Sequence, residues 1–419
     1  MRRAVLALLA AVLAGACTPT PPPAMLQPMP APEPEPEPAV MSPVPALVMA
    51  SPAEVGMDER LSSTLDWLAE SAIADHAASG IAIAVGRHGR LVHLRGYGQV
   101  DWAAGAAAVT DSTLFDLASV TKVVATTTSA MILEEEGRLS LDQRLAYYVP
   151  ELTDSAKQAI TVREVLTHRG GFEAFAPLYR TIRGREAYLR EINARPLAYP
   201  TGARMVYSDW DLILAQAAIE RLTGETLDAF AARRVFAPLG MRDTGFRPDP
   251  SLRARIAATE VDSARGLIHG EVHDPNAWAM GGVAGHAGLF GSARDLAVFA
   301  QMLLNGGEYG GARIVRPETV ARWTAAQGPR SSRALGWDTP SGQSSAGHFF
   351  SPRSFGHTGY TGTSIWIDPE RSLFIVLLTN RVNPTSQNQK HVALRRAVSD
   401  AVQRAVRDAP LIDWEARRR

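Results

Sequence analysis

The chain has 419 residues, of which 46% are hydrophobic and 21% charged, and its 43 basic and 43 acidic side chains give a formal net charge of zero. This balance removes the electrostatic case for a nucleic-acid partner, and we expect none. The single cysteine, Cys17, excludes an internal disulfide.

The first residues are typical of a bacterial export signal, predicted here over residues 1–16. Met1-Arg2-Arg3 precedes an apolar run that is too short to span a bilayer as a helix. The run ends Leu13-Ala14-Gly15-Ala16-Cys17, which resembles a lipobox and implies that Cys17 is lipidated and begins the mature protein. The alternative is an ordinary signal peptide that leaves a free thiol. Thr18 resembles the sorting residue of outer-membrane lipoproteins, so we expect a protein of the bacterial cell envelope, anchored in the outer membrane and facing the periplasm.

Residues 17–50 are rich in proline. They contain Pro21-Pro22-Pro23 and an alternation of proline with glutamate over residues 32–38, and they show no apolar periodicity. We expect a disordered, extended tether. At about 3.1 Å per residue in polyproline geometry, such a segment reaches up to roughly 100 Å from its anchor, which suits a substrate such as the cell wall.

Residues 51–409 are predicted to form the folded domain, with a tail over residues 410–419. The predicted helices are residues 58–74, 121–135, 162–167, 209–223, 227–235, 293–304 and 389–406. The predicted strands are residues 81–86, 91–98, 363–368 and 373–379. This order predicts an α+β (mixed α/β) fold, in which an antiparallel sheet assembled from both ends of the chain is faced by helices and a mostly helical part covers roughly residues 120–340. We expect a site in the cleft between the two parts.

Ser119 and Lys122 are the first candidate catalytic residues. Only three of the 43 basic side chains are lysines, and Lys122 alone has a serine three positions before it. Positions i and i+3 share a helix face, and a partly buried lysine can release a proton whereas arginine cannot. A serine needs a neighbouring base to become a good nucleophile, and an S-x-x-K pair at a helix start is one way to supply it. Taken alone, the pair is also compatible with a solvated helix face.

Two further motifs lie far along the chain: Tyr207-Ser208-Asp209 and His357-Thr358-Gly359. The order S-x-x-K, Y-x-N/D and K/H-T-G resembles that of the serine penicillin-recognising enzymes. The chain is most similar to the branch that contains class C β-lactamases, D-alanyl-D-alanine carboxypeptidases, D-aminopeptidases and family VIII carboxylesterases. The resemblance runs through most of residues 51–406, including the stretches 166–171, 236–241 and 288–296. It implies a β-lactamase/DD-peptidase-like fold.

The resemblance implies three catalytic residues. Ser119 would attack the substrate carbonyl and become acylated, and Lys122 would accept or relay its proton. Tyr207 would act as a second proton shuttle, which requires a nearby cation because an unperturbed phenol titrates near pH 10. The alternative for Tyr207 is a buried tyrosine hydrogen-bonded through its hydroxyl. No cofactor is implied.

Substrate-binding roles are implied for His357, Thr358, Gly359 and Tyr360 at a strand edge. Gly359 would leave room for the substrate backbone, and the amides of Tyr360 and Ser119 would form the oxyanion hole. His357 stands where β-lactamases usually have lysine. We expect its charge to depend on pH around 6 to 7, which points toward peptidases and esterases.

Asp209 is the second departure from the family pattern, which more often has asparagine at this position. Aspartate can accept a hydrogen bond from Lys122, but it cannot donate one to a substrate carbonyl as an amide can. Asp209 therefore argues against recognition of an acyl amide group. Arg381, after a predicted strand, is a candidate for holding a substrate carboxylate.

His269, His273 and His286 raise the possibility of a metal site, because histidines with nearby carboxylates are the residue types that bind zinc. The region is rich in glycine and predicts no helix that would place His269 and His273 on one face. We favour a loop near the cleft mouth, shaping the substrate pocket with Trp278, and expect no metal.

These features predict a serine hydrolase that works through an acyl-enzyme. The foremost expectation is a D-alanyl-D-alanine carboxypeptidase-like enzyme or a D-amino-acid amide or ester hydrolase. The alternatives are a β-lactamase, a family VIII-type carboxylesterase, and a penicillin-binding cell-wall sensing module without turnover. The expected partners are a small-molecule or peptidoglycan-derived peptide substrate and a membrane reached through the lipid anchor; the oligomeric state is left open.

Overall fold

The computed structural model describes residues 46–328, 331–341 and 345–413. Residues 1–45, for which the signal peptide, the lipidation of Cys17 and most of the tether were predicted, lie outside the described residues. Residues 414–419 of the predicted tail lie outside them as well. Within the described part, no helix is long and apolar enough to cross a membrane.

The strands found in the described residues are labelled β1 to β12 in chain order. They are Gly80–Arg87, Arg90–Gly98, Phe115–Asp116, Gly245–Phe246, Val261–Asp262, Gly266–Leu267, Leu289–Gly291, Glu308–Tyr309, Ala312–Arg313, Phe355–Thr358, Ser364–Asp368 and Leu373–Thr379. The α-helices are labelled α1 to α11 in the same way. They are Leu61–Ala74, Thr128–Glu135, Leu145–Tyr148, Val162–Leu166, Arg185–Ala194, Asp209–Thr223, Leu227–Ala231, Pro275–Ala279, Ala293–Leu304, Pro317–Thr324 and His391–Ala405.

The main sheet has five antiparallel strands in the order β10-β11-β12-β1-β2, so strands from both ends of the chain lie side by side. In β1, Ile81, Ile83 and Val85 point to the face covered by α1 and α11, where they join one buried cluster. Ala82 and Ala84 point to the opposite face, and their small side chains allow α9 to pack closely on the strand. The alternation of large and small apolar residues therefore places a helical layer on each face.

A three-stranded sheet, in the order β3-β7-β4, positions the start of the helical part. β3 pairs with β7 through Phe115 and Gly291 and through Asp116 and Phe290. The chain leaves β3 directly into a 3-10 turn at Ala118–Val120. This small sheet therefore fixes the position of Ser119.

The predicted α+β architecture, with an antiparallel sheet built from both ends of the chain and faced by helices, is confirmed. β12, α6 and α9 have the predicted bounds. α5 and α10 were not predicted. In α5 the buried residues are limited to Tyr188, Leu189 and Ile192 among mostly polar neighbours, so its apolar periodicity is weak.

Residues 121–135 differ from the single helix predicted for them. The 3-10 turn is followed by a π-helical segment, Lys122–Thr127, and only then by α2. Threonine hydroxyls take part in this departure: Thr128 Oγ1 donates to Val123 O, five residues earlier, at 2.8 Å, and Thr126 Oγ1 donates to Gly285 O at 2.7 Å. Such side-chain bonds compete with the α-helical pattern, and π segments are frequent at functional sites.

Candidate active site

Ser119 lies in a tightly held turn between β3 and the π-helical segment. The preceding residue, Ala118, has a left-handed backbone conformation with φ of 46°, which is unusual for a residue other than glycine. The buried Asp116 accepts a hydrogen bond from the amide of Ala118 at 2.8 Å, and Leu117 N donates to Leu289 O at 2.9 Å. These bonds hold the strained turn and fix the direction of the serine side chain.

Lys122 is fully buried and donates to three acceptors. Its Nζ lies 3.0 Å from Ser119 Oγ, 2.8 Å from Asp209 Oδ1 and 3.1 Å from the carbonyl oxygen of His286. Burial alone would lower the pKa of Lys122, but Asp209 and Tyr207 beside it outweigh this effect and raise the pKa above its usual value. The side chain is therefore an ammonium at neutral pH, which disfavours the expectation that it accepts the serine proton.

Tyr207 lies at the centre of a group of aromatic and cationic side chains. Its ring centroid is 4.8 Å from Lys122 Nζ and 5.1 Å from the guanidinium carbon of Arg333. The rings of His168 and His357 lie 4.6 Å and 5.9 Å from it. Tyr207 is partly exposed and lines a cavity together with Ser119, so it differs from the fully buried tyrosine of the alternative interpretation.

Two buried residues that were not predicted from the sequence, His168 and Asp211, form a hydrogen-bonded pair next to Tyr207. His168 Nδ1 is 3.1 Å from Asp211 Oδ2 and accepts a bond from Ser208 N at 3.3 Å. Burial lowers the pKa of His168 well below its usual value, so this imidazole is neutral at pH 7, and burial raises the pKa of Asp211 well above its usual value, which favours the protonated carboxyl. The available sequence signal was weak: Asp211 is a carboxylate in the first turn of α6, followed by a run of apolar residues.

His357 is almost completely buried, with 3% of its surface exposed. Its Nδ1 lies 2.9 Å from Thr358 O, and this carbonyl can only accept, so Nδ1 carries the proton. Burial, followed by the charges of Arg333 and Lys122, lowers the pKa of His357 well below 6.5. The prediction that its charge changes around pH 6 to 7 is therefore wrong, and His357 is a neutral imidazole across that range.

The packing of the protein leaves no room for a side chain at Gly359. A Cβ at this position would overlap Thr363 Oγ1 and the carbonyl oxygen of Leu117, two residues before Ser119. The amide of Gly359 donates to Thr363 O at 2.7 Å, and Thr363 Oγ1 donates to Leu117 O at 2.9 Å. Glycine therefore lets the β10–β11 turn approach the turn that carries Ser119. The expectation that Gly359 also makes room for a substrate backbone stays a prediction.

Tyr360 belongs to that turn and has a 55% exposed side chain. Its carbonyl accepts a bond from Arg381 Nε at 2.7 Å, whereas its amide donates to no acceptor among the described residues. Thr361 Oγ1 donates to Asp116 O at 2.7 Å and ties the turn to β3. Tyr360 lines the same cavity as Ser119, and its amide has no acceptor among the described residues, as an amide that is to bind an oxyanion requires.

A cavity of about 360 Å³ adjoins Ser119. Its lining includes three guanidinium groups, from Arg333, Arg381 and Arg395, and one carboxylate, from Asp338. His391 also lines it, but burial, together with Arg395 and Arg381, lowers the pKa of His391 to about 3, so that it is uncharged at pH 7. The cavity therefore carries an excess of positive charge. Arg381 itself is held by Ser386 O and Asn388 O as well as by Tyr360 O.

The three candidate metal-binding histidines do not converge. His269 Nε2 lies 2.8 Å from Ile256 O, and His273 Nε2 lies 2.9 Å from Glu260 Oε2. His286 Nε2 lies 3.0 Å from Asp274 Oδ1, and these two side chains come within 4.8 Å of Asp209. Lys122 already supplies a cation to Asp209, so His286 and Asp274 form a polar network next to the Lys122–Asp209 ion pair.

Trp278 is also placed differently from the expectation. It lines a separate cavity of about 290 Å³ rather than the one that contains Ser119. Arg183 and Arg265 lie over its ring at 5.2 Å and 4.9 Å from the centroid. Trp278 therefore does not shape the cavity beside the nucleophile.

Comparison with known proteins agrees with this geometry. A sequence profile of the family described as "Beta-lactamase" matches residues 65–399. A protein of Escherichia coli (strain K12) named "Putative D-alanyl-D-alanine carboxypeptidase" is 33% identical over 393 residues, which cover 83% of this chain and 88% of that protein.

Two solved structures show the same fold. A penicillin-binding protein homolog from Caulobacter crescentus is 22% identical, with a TM-score of 0.66 over 82% of this chain and 98% of that one. A class C beta-lactamase is 20% identical, with a TM-score of 0.66 over 82% of this chain and 96% of that one.

Proposed function

Because this chain belongs to the beta-lactamase family of serine hydrolases, we propose that it is a D-alanyl-D-alanine carboxypeptidase-like enzyme acting on peptidoglycan-derived peptides. The observation that carries the proposal is the cationic cavity beside Ser119. A peptide ending in D-alanine has a free carboxylate next to the bond that is cut. Guanidinium groups bind carboxylates through paired hydrogen bonds, and a neutral ester has no such group to offer.

The chemistry starts with attack of Ser119 Oγ on the penultimate carbonyl carbon. Tyr207, whose ring lies against Lys122 and Arg333, takes the serine proton. Lys122 holds Ser119 Oγ at 3.0 Å as a charged donor, and the Tyr360 amide binds the developing oxyanion.

The intermediate then collapses as the carbon–nitrogen bond breaks, and the proton returns from Tyr207 to the leaving amine of D-alanine. Water attacks the resulting acyl-enzyme, the ester bond to Ser119 Oγ breaks, and Ser119 regains its proton.

A pair of substrates that differ only at the C-terminus tests the proposal. We expect an acylated Lys-D-Ala-D-Ala peptide to be cleaved about 10-fold to 100-fold faster, in kcat/KM, than the same peptide with a C-terminal amide, because the amide cannot pair with the guanidinium groups. Released D-alanine or D-alanine amide is quantified by chromatography for the full-length protein. Equal rates for the two peptides would contradict the proposed specificity.

Asp209 favours ester hydrolysis as the second candidate. Its carboxylate accepts from Lys122 and cannot donate to the amide side chain of an acyl-peptide or β-lactam. A p-nitrophenyl ester and a chromogenic cephalosporin belong in the same assay. Faster turnover of the ester than of the peptide would favour an esterase, faster turnover of the cephalosporin a β-lactamase, and a stable acyl adduct without product a sensing module.

We also propose that the protein is a lipoprotein of the bacterial cell envelope. The proposal rests on the apolar run and lipobox-like residues that end at Cys17. Replacing Cys17 with serine is expected to abolish incorporation of radiolabelled palmitate and to move the protein from the membrane to the soluble fraction of the envelope. Unchanged labelling would contradict the anchor, and this outcome is independent of the catalytic proposal.

A further inference from the structure

Arg395 is a buried arginine on α11, with 6% of its surface exposed. Its Nη2 donates to two carbonyl oxygens in the β10–β11 turn, Gly359 O at 2.6 Å and Thr363 O at 2.7 Å. No carboxylate among the described residues forms an ion pair with it. Burying a guanidinium without a counter-ion is costly, so the position of this charge requires an explanation.

The peptide group that Arg395 contacts is the one that carries the oxyanion donor. The Gly359 carbonyl and the Tyr360 amide are the two ends of a single planar peptide unit. A charged donor on the carbonyl oxygen draws electron density from that unit and makes its N–H a stronger hydrogen-bond donor. The Tyr360 amide has no acceptor among the described residues and lies in the turn that lines the cavity with Ser119.

We propose that Arg395 acts through the Gly359–Tyr360 peptide to strengthen the oxyanion hole. It is a positioning residue, because it contacts the carbonyl end of this peptide while the amide end faces the substrate. This role rests on the proposed acyl-enzyme mechanism. The guanidinium stabilises the transition state, in which the oxyanion carries full charge, more than the ground-state carbonyl. Its effect is therefore expected in kcat more than in KM.

The charged groups around Arg395 agree with this role. Burial, followed by repulsion from Arg381, lowers the pKa of Arg395 to about 9, which still leaves the side chain charged at pH 7. Arg381 contacts the next carbonyl, Tyr360 O, at 2.7 Å. The neighbouring imidazoles of His357 and His391 are neutral at that pH, because burial lowers the pKa of both. Two guanidinium groups thus face consecutive carbonyl oxygens of the turn.

The infrared frequency of the acyl carbonyl measures this effect directly. The protein is acylated with a penicillin that carries ¹³C at the β-lactam carbonyl, and the isotope-edited ester band is recorded. A weaker oxyanion hole polarises the carbonyl less and moves the band to higher wavenumber. We expect Arg395→Met to raise the wavenumber and to lower kcat/KM by about 10-fold to 100-fold, less than the 10²-fold to 10³-fold typical of deleting an oxyanion donor. Arg395→Lys, which keeps a charge near Gly359 O, is expected to recover part of both changes.

Arg371 provides the matched control. It is equally buried and donates to the carbonyl oxygens of Phe349, at 2.6 Å, and Pro410, at 2.8 Å. Neither carbonyl belongs to the β10–β11 turn. Arg371→Met is expected to lower the melting temperature as Arg395→Met does, without moving the carbonyl band. An unchanged band in every acylated Arg395 variant, or an equal shift in Arg371→Met, would overturn the proposal. If Arg395→Met does not fold, the carbonyl band is compared in Arg395→Lys and Arg395→Gln instead. Failure of the wild type both to form an adduct with the penicillin and to turn over any of the assayed substrates would refute the acyl-enzyme mechanism instead.

Discussion

Ser119→Ala is expected to abolish turnover and acylation while leaving the fold intact. Ser119 Oγ is the hydroxyl that contacts the buried ammonium of Lys122 and lines the cationic cavity. Removing the nucleophile of an acyl-enzyme mechanism costs about 10⁴-fold or more in kcat. Intact-protein mass spectrometry after incubation with a fluorescent penicillin measures the adduct, and peptide turnover is measured in parallel.

The control for this experiment is Ser71→Ala, at an exposed position of α1. It should acylate and turn over substrate like the wild type. Circular dichroism should show the same folded content in both variants, because Ser119 contributes little to the core. Turnover that persists in Ser119→Ala would exclude the mechanism altogether.

Lys122→Met is expected to lower kcat/KM by about 10²-fold to 10⁴-fold. The substitution removes the charge that holds Ser119 Oγ and faces Tyr207, and it leaves Asp209 without its partner. Loss of one partner from such a buried pair costs about 3–5 kcal/mol of folding stability. Activity must therefore be compared at a temperature where the variant is still folded, as determined by its melting curve.

Lys157→Met separates the loss of stability from the loss of catalysis. Lys157 is also fully buried, and it pairs with Asp154 and donates to the carbonyl oxygens of Asn193, at 3.0 Å, and Arg195, at 2.6 Å. We expect a comparable fall in melting temperature with near-normal kcat/KM. If Lys157→Met loses as much activity as Lys122→Met, the effect of Lys122 is structural.

Lys122→Arg distinguishes two roles for the lysine. An ammonium whose pKa is raised acts through its charge, and arginine retains that charge although its larger planar head fits the enclosed site poorly. We expect this variant to keep more activity than Lys122→Met. Equal activity of the two variants would contradict the expectation that Lys122 acts mainly through its charge.

The parts of the fold that could be predicted from the sequence are those with local signals. β1 and β2 are runs of mostly apolar residues on either side of the His88-Gly89 turn. α6 and α9 have clear apolar periodicity. The π-helical segment Lys122–Thr127 could not be predicted in this way, because its form depends on threonine side chains and on Gly285 far along the chain. Local patterns report periodicity but do not report such long-range bonds.

The residues of the candidate site could be identified from the sequence, but the electrostatics of the site could not. The motifs identified Ser119, Lys122 and Tyr207, and the structure brings all three together. The neutral state of His357 could not be inferred, because it follows from burial in the folded protein. Arg395 gave no sequence signal, since it is one basic residue among several on an amphipathic helix.

The pairing of β1 with β12 also affects when the protein becomes active as it folds. Ile81 pairs with Thr379, so β1 has no partner on this side until a strand near the other end of the chain has been made and is free to join the sheet. Ser119 emerges early, whereas Tyr360 and Arg395 are among the last residues of the folded part to be made. On the mechanism proposed, a nascent chain carries its nucleophile without an oxyanion hole. Closure of the sheet therefore marks the moment at which the serine becomes reactive.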